Sequence, residues 1–301
     1  MLVIHMAEAD VERLGEAALE VLESVGGLFQ NAEMLDALEA AGAAVDRAAQ
    51  TVRFPKKMTR DFLATLRQES ASTSSSYGSN ETLSAGWRTP AISSPGSAGP
   101  SDGPRIYTGA KLPTLEVQVA QFLYDLEQGE ARPGRRDDLI ELVKLGDVLH
   151  QEDGVGHALL MRDVPPLAEP IEAALVLAEY AHVPGQVFAW DVRQIPYLEE
   201  MARILGSAEF FTLGSICIAH PLRFDRAVAE RTVEMAKRSQ SIGLTAMPVV
   251  GMSTPVTMEG FIAMASAEML ACWIAGRAIN PSVPLGGDMW AGVPDMRTGT
   301  V

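Results

Sequence analysis

Polar and aromatic side chains recur directly after the apolar, strand-like runs of this 301-residue chain. In folds whose parallel strands are joined by helices, such positions meet at one end of the sheet, where ligands bind. The candidate substrate-binding residues are Trp190, Asp191, His220, Ser253, Thr254, Asp288 and Trp290. Their indole, carboxylate, imidazole and hydroxyl groups suit either a cationic ligand or acid–base chemistry.

The aromatic, acidic and imidazole candidates each have two interpretations. Trp190 and Trp290 could form an aromatic wall for a quaternary ammonium group, or they could be ordinary core residues. Asp191 suits a contact with a cation and equally suits the cap of a loop. His220 could act directly on a substrate, or it could cap the helix that follows.

The hydroxyl pair Ser253-Thr254 precedes Pro255, a residue typical of the first position of a helix. Thr254 is therefore predicted to be the helix N-cap, although a helix N-terminus after a strand also makes a site for an anion or polar group. The familiar nucleotide, hydrolase and zinc-protease motifs are missing from the sequence, and its five histidines do not fall at metal-ligand spacing. No metal site is predicted, and no catalytic residue can be named from motifs.

The elements that position these residues begin with a small helical N-terminal subdomain at residues 1–68. Helical periodicity predicts helices at 8–25, 32–41 and 56–68, with a small hairpin turning near residues 48–50. The segment 69–104 is dominated by Ser, Gly, Pro, Ala and Thr. It offers few apolar side chains to offset its ordering entropy, so a flexible segment is predicted there.

Residues 105–301 alternate short apolar runs with longer helical patterns. Strands are predicted at 105–109, 117–126, 157–161, 186–190, 211–218, 243–251 and 283–287, and helices at 137–149, 167–181, 195–205, 225–238 and 256–279. This alternation predicts an α/β fold, a (β/α)8 TIM-type barrel whose parallel strands are covered by helices.

The sequence stops in a loop, with no closing helix. With about six parallel strands counted, we expect a C-terminally incomplete barrel. Its unpaired edge strands would favour self-association into a homo-oligomer.

The composition narrows the classes of partner. A formal net charge of −15 argues against nucleic acid, because phosphate binding needs a basic face. The same charge would favour a cationic substrate, although acidic balance is also common in soluble proteins. Two cysteines without Cys-x-x-Cys spacing predict neither a disulfide framework nor a zinc site. Without a secretory signal or a membrane-spanning run, we expect a soluble cytoplasmic protein that binds no membrane.

Several separated segments resemble, in the same order, the trimethylamine methyltransferase family of corrinoid-dependent methyltransferases. The resemblance covers the whole chain except the Ser/Gly/Pro-rich segment, and it includes His220-Pro-Leu-Arg-Phe-Asp225 and Gly251-Met-Ser-Thr-Pro-Val-Thr257. The other matching segments are 18–26, 41–46, 52–55, 107–109, 137–147, 267–271, 279–281 and 295–299. The strongest part is 251–299.

The resemblance implies a β/α barrel that moves a methyl group from a methylated amine to the cobalt of a corrinoid. The amine would be trimethylamine or a quaternary amine such as glycine betaine, and the corrinoid (cobalamin) would be supplied by a cognate partner protein rather than bound by this chain. Founding members of the family place pyrrolysine in a part of the barrel that lies beyond Val301 here, so the amine stays open.

Two alternatives stay open beside the resemblance. One is an inactive truncated fragment of such an enzyme. The other is a different β/α-barrel enzyme that uses acid–base chemistry at Asp191, His220 and Asp288.

Overall fold

The computed structural model describes residues 7–74, 119–149, 154–207, 210–289 and 291–298. In chain order, the helices of these residues are α1 (Glu8–Ser24), α2 (Ala32–Ala40), α3 (Lys56–Ser74), α4 (Arg136–Leu149), α5 (Glu169–Tyr180), α6 (Ile195–Leu205), α7 (Arg226–Lys237) and α8 (Met258–Ile279). The strands are β1 (Gly27–Phe29), β2 (Ala44–Asp46), β3 (Thr51–Arg53), β4 (Phe122–Asp125), β5 (Glu130–Pro133), β6 (Val187–Phe188), β7 (Phe211–Thr212), β8 (Arg223–Phe224), β9 (Ile242–Ala246) and β10 (Leu285–Met289).

The chain divides into two compact units. Among the described residues, the first unit contains 7–74 and 215–298, and the second contains 119–214. The division differs from the predicted arrangement of a subdomain at 1–68 and a barrel at 105–301, because α1, α2 and α3 pack on α8 rather than on one another alone. Helix α3 continues to Ser74, and the rest of the predicted flexible segment lies outside the described residues.

The first unit is built around α8. This helix is apolar on nearly all sides and packs against α1, α2, α7 and β9. By length and composition it could also cross a bilayer, but 61% of its most apolar window is buried inside the protein. Gly276 admits β9 closely, since a Cβ at this position would lie 2.8 Å from Cγ1 of Ile242. Helix α8 is therefore the core helix of this unit.

A four-stranded sheet of order β2-β3-β1-β8 covers another part of the first unit. The hairpin of β2 and β3 was predicted and is confirmed, whereas β1 and β8 were not predicted. Phe29 of β1 stacks on Phe224 of β8, with ring centroids 4.6 Å apart, and meets Phe54 edge-on at 5.8 Å. Strands of two or three residues are too short to show an alternating pattern, so only this stacking reveals why they pair.

The predicted parallel alternation of strands and helices is present in both units. In the second unit, Ala120 bridges Leu159 and β6 pairs with β7; in the first, β9 pairs with β10, each time in parallel. The intervening chain contains α4, α6 or α8, as a β/α winding requires. The described sheets are not closed, and the barrel stays a prediction.

One predicted parallel strand, 117–126, has two parts: Ala120 makes the parallel bridge to Leu159, whereas the residues after it have a different structure. The run 117–126 contributes β4, which pairs with β5 in an antiparallel hairpin. The turn between them is stabilised by Asp125, whose Oδ1 accepts hydrogen bonds from the backbone of Glu127 and Gln128 at 3.1 Å, and by Gly129 at φ +71°. The turn chemistry, rather than the apolar pattern, decides the direction of the chain here.

Candidate functional site

A buried carboxylate lies at the start of α5 in the second unit. Glu169 is 1% exposed, and its Oε1 accepts hydrogen bonds from Nε2 of His157 at 2.9 Å and from the backbone nitrogen of Met161 at 3.0 Å. Its Oε2 accepts a hydrogen bond from Nε1 of Trp190 at 3.3 Å. Glu169 therefore joins the segment 157–161 to the residues after β6. It lies in the first turn of α5, and the N-terminal end of a helix favours negative charge.

His157 retains one ring nitrogen without a partner. Nε2 faces the acceptor oxygen of Glu169 and carries the proton, so Nδ1 is an acceptor in the neutral ring. The residue is fully buried, and Nδ1 has no hydrogen-bond partner. Since buried polar atoms are nearly always paired, this cluster can accept one further hydrogen bond.

Trp190 supplies an aromatic face beside this cluster. Its half-buried indole lies 4.4 Å from the Phe188 ring, measured between centroids, and 6.5 Å from the His157 ring. Gly214, at φ +64°, makes room for Phe188, because a Cβ there would lie 2.0 Å from the ring. An aromatic face backed by a carboxylate attracts ammonium groups.

Asp191 acts as the cap of the loop that carries Trp190. Its Oδ1 accepts a hydrogen bond from the backbone of Arg193 at 2.9 Å and its Oδ2 pairs with the guanidinium at 2.6 Å, which lowers the pKa of Asp191. Gln194 completes a capping box, since its Oε1 accepts from the backbone nitrogens of Trp190 and Asp191. The side chain of Gln194 also donates to the carbonyl oxygen of Leu167, which fixes this loop against the start of α5.

His220, in the first unit, is held by both ring nitrogens. Nδ1 donates to Glu268 of α8 at 2.8 Å, and Nε2 accepts from the backbone nitrogen of Met247 at 3.2 Å. Glu268 is fully buried and also accepts from the backbone nitrogen of Leu222 at 3.0 Å. His220 does not cap α7, because Asp225 has that role.

Ser253 and Thr254 stabilise a turn after β9 rather than the start of α8. Ser253 Oγ accepts from the backbone nitrogen of Val249 at 2.9 Å, and Thr254 contributes its carbonyl oxygen to Gly251 at 3.0 Å. The prediction that Thr254 caps the helix is wrong: the N-cap is Thr257, whose Oγ1 accepts from Gly260. The turn occupies residues 249–254, so α8 begins only at Met258.

The candidate Asp288 lies near the end of β10. Asp288 pairs with Thr245 of β9 in the backbone register, and Trp290 lies outside the described residues. Of the seven candidates, Trp190 and Asp191 share one capped loop in the second unit. His220 and the pair Ser253-Thr254 are joined through the segment after β9 in the first unit.

The candidates did not include four residues whose hydrogen bonds hold these clusters together: His157, Glu169, Gln194 and Glu268. A carboxylate in the apolar centre of a predicted helix is a signal that could have identified Glu268. The Asp-x-x-Gln spacing at 191–194 is a signal that could have identified Gln194. No group of three or more His, Cys, Asp or Glu in the described ranges is arranged to hold a metal ion.

Comparison with known proteins agrees with the resemblance read from the sequence. The family model described as trimethylamine methyltransferase (MTTB) matches residues 2–84 and 107–301. No curated protein matches the chain. The two matched blocks contain every segment on which the resemblance was based. The chain therefore belongs to the trimethylamine methyltransferase family, and this membership implies a methyltransferase that acts on a methylamine.

Proposed function

We propose that this protein moves a methyl group from a methylated amine, trimethylamine or a quaternary amine such as glycine betaine, to a corrinoid carried by a separate partner protein. The family match carries the proposal. An amine methyl group is a poor electrophile, and the corrinoid supplies a strongly nucleophilic metal centre while the protein aligns the reactants. We further propose that the fold is the (β/α)8 barrel and that the enzyme is cytoplasmic.

The amine would bind at the indole of Trp190. The face of Trp190 offers a cation–π contact of about 0.5–2 kcal/mol to an ammonium group. Glu169 adds a negative charge behind the indole. Its three partners all donate hydrogen bonds to it, as expected for an ionised carboxylate, which can only accept them.

The shielded position of Glu169 suits the charge change of this reaction. When the methyl group leaves a quaternary amine or protonated trimethylamine, the electron pair of the C–N bond stays on nitrogen, so the ammonium group becomes a neutral amine. A direct ion pair would then stabilise the bound substrate more than the transition state and slow the reaction. Glu169 is 1% exposed and accepts three hydrogen bonds from the protein, so it would favour the cation without contacting it directly.

Acid–base chemistry at Asp191 and His220 gains no support. The carboxylate of Asp191 is paired with Arg193, and its lowered pKa makes it a weak base at neutral pH. Both ring nitrogens of His220 already have hydrogen-bond partners. We therefore advance no second function.

The test is an anaerobic assay of the purified protein with its corrinoid partner in the cobalt(I) state, across a panel of methylamines and betaines. Formation of the methylated corrinoid is followed by its absorbance. Trp190→Leu should raise the KM for the amine about 2- to 30-fold, whereas Trp190→Phe should keep most of the affinity. Trp273→Phe, in the other unit, is the matched control.

Two outcomes contradict different parts of the proposal. Failure of the folded protein and its partner to methylate the corrinoid with every amine would refute the activity. An unchanged KM in Trp190→Leu would refute the amine site and leave the activity standing.

A further inference from the structure

Glu268 is a buried ionisable group in the middle of the core helix α8. Its neighbours Ala267, Met269 and Leu270 are apolar and buried, and Glu268 itself has no exposed surface. Burying a carboxylate is unfavourable unless hydrogen bonds compensate, and an apolar side chain would fill this place without that cost. The contacts of Glu268, rather than its packing, therefore indicate its role.

We propose that Glu268 and His220 form a positioning relay that fixes the loop 247–254 at the carboxyl end of β9. A carboxylate only accepts hydrogen bonds, so Nδ1 of His220, at 2.8 Å from Glu268, carries the proton. Nε2 is then an acceptor, and it faces the backbone nitrogen of Met247 at 3.2 Å. The buried carboxylate thus keeps the proton on Nδ1, which makes Nε2, the nitrogen that faces the end of the strand, an acceptor.

The loop 247–254 is compact and is tied to the relay at its first residue. Inside it, Val249 donates to Ser253 Oγ at 2.9 Å, and Gly251 donates to the carbonyl oxygen of Thr254 at 3.0 Å. Its exposed side chains are apolar, with Met247 55% and Met252 71% exposed. An ordered loop at the end of a parallel strand reduces the conformational entropy that must be lost when a substrate binds there.

The expected effect on KM rests on the proposed function, whereas the expected effects on the His220 tautomer and on amide exchange at Met247 do not. With the relay intact, the loop is ordered before the substrates arrive. Without it, ordering occurs on binding, so KM should rise about fivefold for a loss of one backbone hydrogen bond while kcat stays within about twofold.

Three variants test the relay. Glu268→Gln keeps the shape, but the amide NH2 would face His220 and reverse the tautomer, so that Nε2–H opposes the N–H of Met247. His220→Asn keeps a donor toward Glu268 and cannot reach Met247. The exposed Glu259→Gln, on the same helix, is the matched control.

The first readout is the nitrogen chemical shifts of ¹⁵N-labelled imidazole, with His220 assigned by its loss in His220→Asn. Wild type should show a protonated Nδ1 and an unprotonated Nε2, and Glu268→Gln should show the reverse. The second readout is amide hydrogen exchange at Met247, which should become at least about tenfold faster in both relay variants and stay unchanged in the control.

The outcomes separate the relay from the proposed activity. A Glu268→Gln protein that retains the wild-type tautomer, or a folded His220→Asn protein with unchanged exchange at Met247, would overturn the relay. If Glu268→Gln does not fold, His220→Asn decides alone, because it leaves the buried carboxylate paired. Reversal of the tautomer in a protein that methylates no corrinoid would support the relay and count only against the activity.

Discussion

Replacing Glu169 with alanine removes the shared acceptor of three donors in the second unit. The ring of His157 and the backbone of Met161 are buried, and the third donor is the half-buried indole of Trp190. A buried donor left without a partner costs about 1–3 kcal/mol, so the two buried donors together account for about 4 kcal/mol. The indole contact is the longest of the three at 3.3 Å and should add the least. We therefore expect the free energy of unfolding to fall by about 4 kcal/mol.

The assay is denaturant unfolding followed by circular dichroism and by tryptophan fluorescence, with linear extrapolation to water. Glu172→Ala is the matched control, since this glutamate lies on the same helix and pairs with Nε of Arg136 at 2.7 Å. Both partners of that pair are about one third exposed, so its loss should cost about 0–1 kcal/mol. If Glu169→Ala lost no more stability than Glu172→Ala, the reasoning from buried donors would be refuted.

Three further predictions concern local structure. Gly206→Ala should lower the free energy of unfolding by about 1 kcal/mol, since the residue has φ +69° and open space where a Cβ would lie. Gly214→Ala should lower it more, because the added Cβ would meet the Phe188 ring, and equal melting temperatures of the two variants would contradict this. Thr257→Ala should lose about 1 kcal/mol of stability in denaturant titrations as the cap of α8, and an unchanged midpoint would show that the cap is unimportant. The guanidinium of Arg132 lowers the pKa of Asp138 in the folded protein. The stability from this pair is therefore fully present above the pKa that Asp138 has in the unfolded chain, and it is lost as the pH falls through the lower pKa of the folded protein. Thermal melts between pH 6 and pH 2 should therefore fall less steeply for Asp138→Asn than for wild type, and parallel curves would be evidence against the shift.

Helical periodicity was sufficient to locate most helices. The predicted helices at 8–25 and 195–205 correspond to α1 (Glu8–Ser24) and α6 (Ile195–Leu205). Their apolar stripes and the glycines that end them are local signals, which a sequence carries within one window. The start of α8 was misplaced because the turn 249–254 and the cap at Thr257 use the same residue types as the predicted cap.

The grouping of elements and the buried clusters could not be predicted in the same way. The packing of α1 and α2 on α8 joins distant parts of the chain, and no local pattern encodes it. Glu169 and His157 are twelve positions apart, and His157 lies outside any helix or strand, so their pairing depends on how the chain folds between them. The capping box of Asp191 and Gln194 is the exception, because both residues lie within one turn.

The discontinuous first unit has a consequence for the order in which the chain folds during synthesis. The ion pair of Glu69 and Arg277 spans 208 positions, and α8 is the packing partner of α1 and α2. While the ribosome is still translating the residues before 258, these two helices have emerged with their apolar faces uncovered. The second unit is encoded between them and can bury its own core first. We therefore expect the nascent N-terminal helices to depend on chaperones and to resist proteolysis only after α8 has left the ribosome.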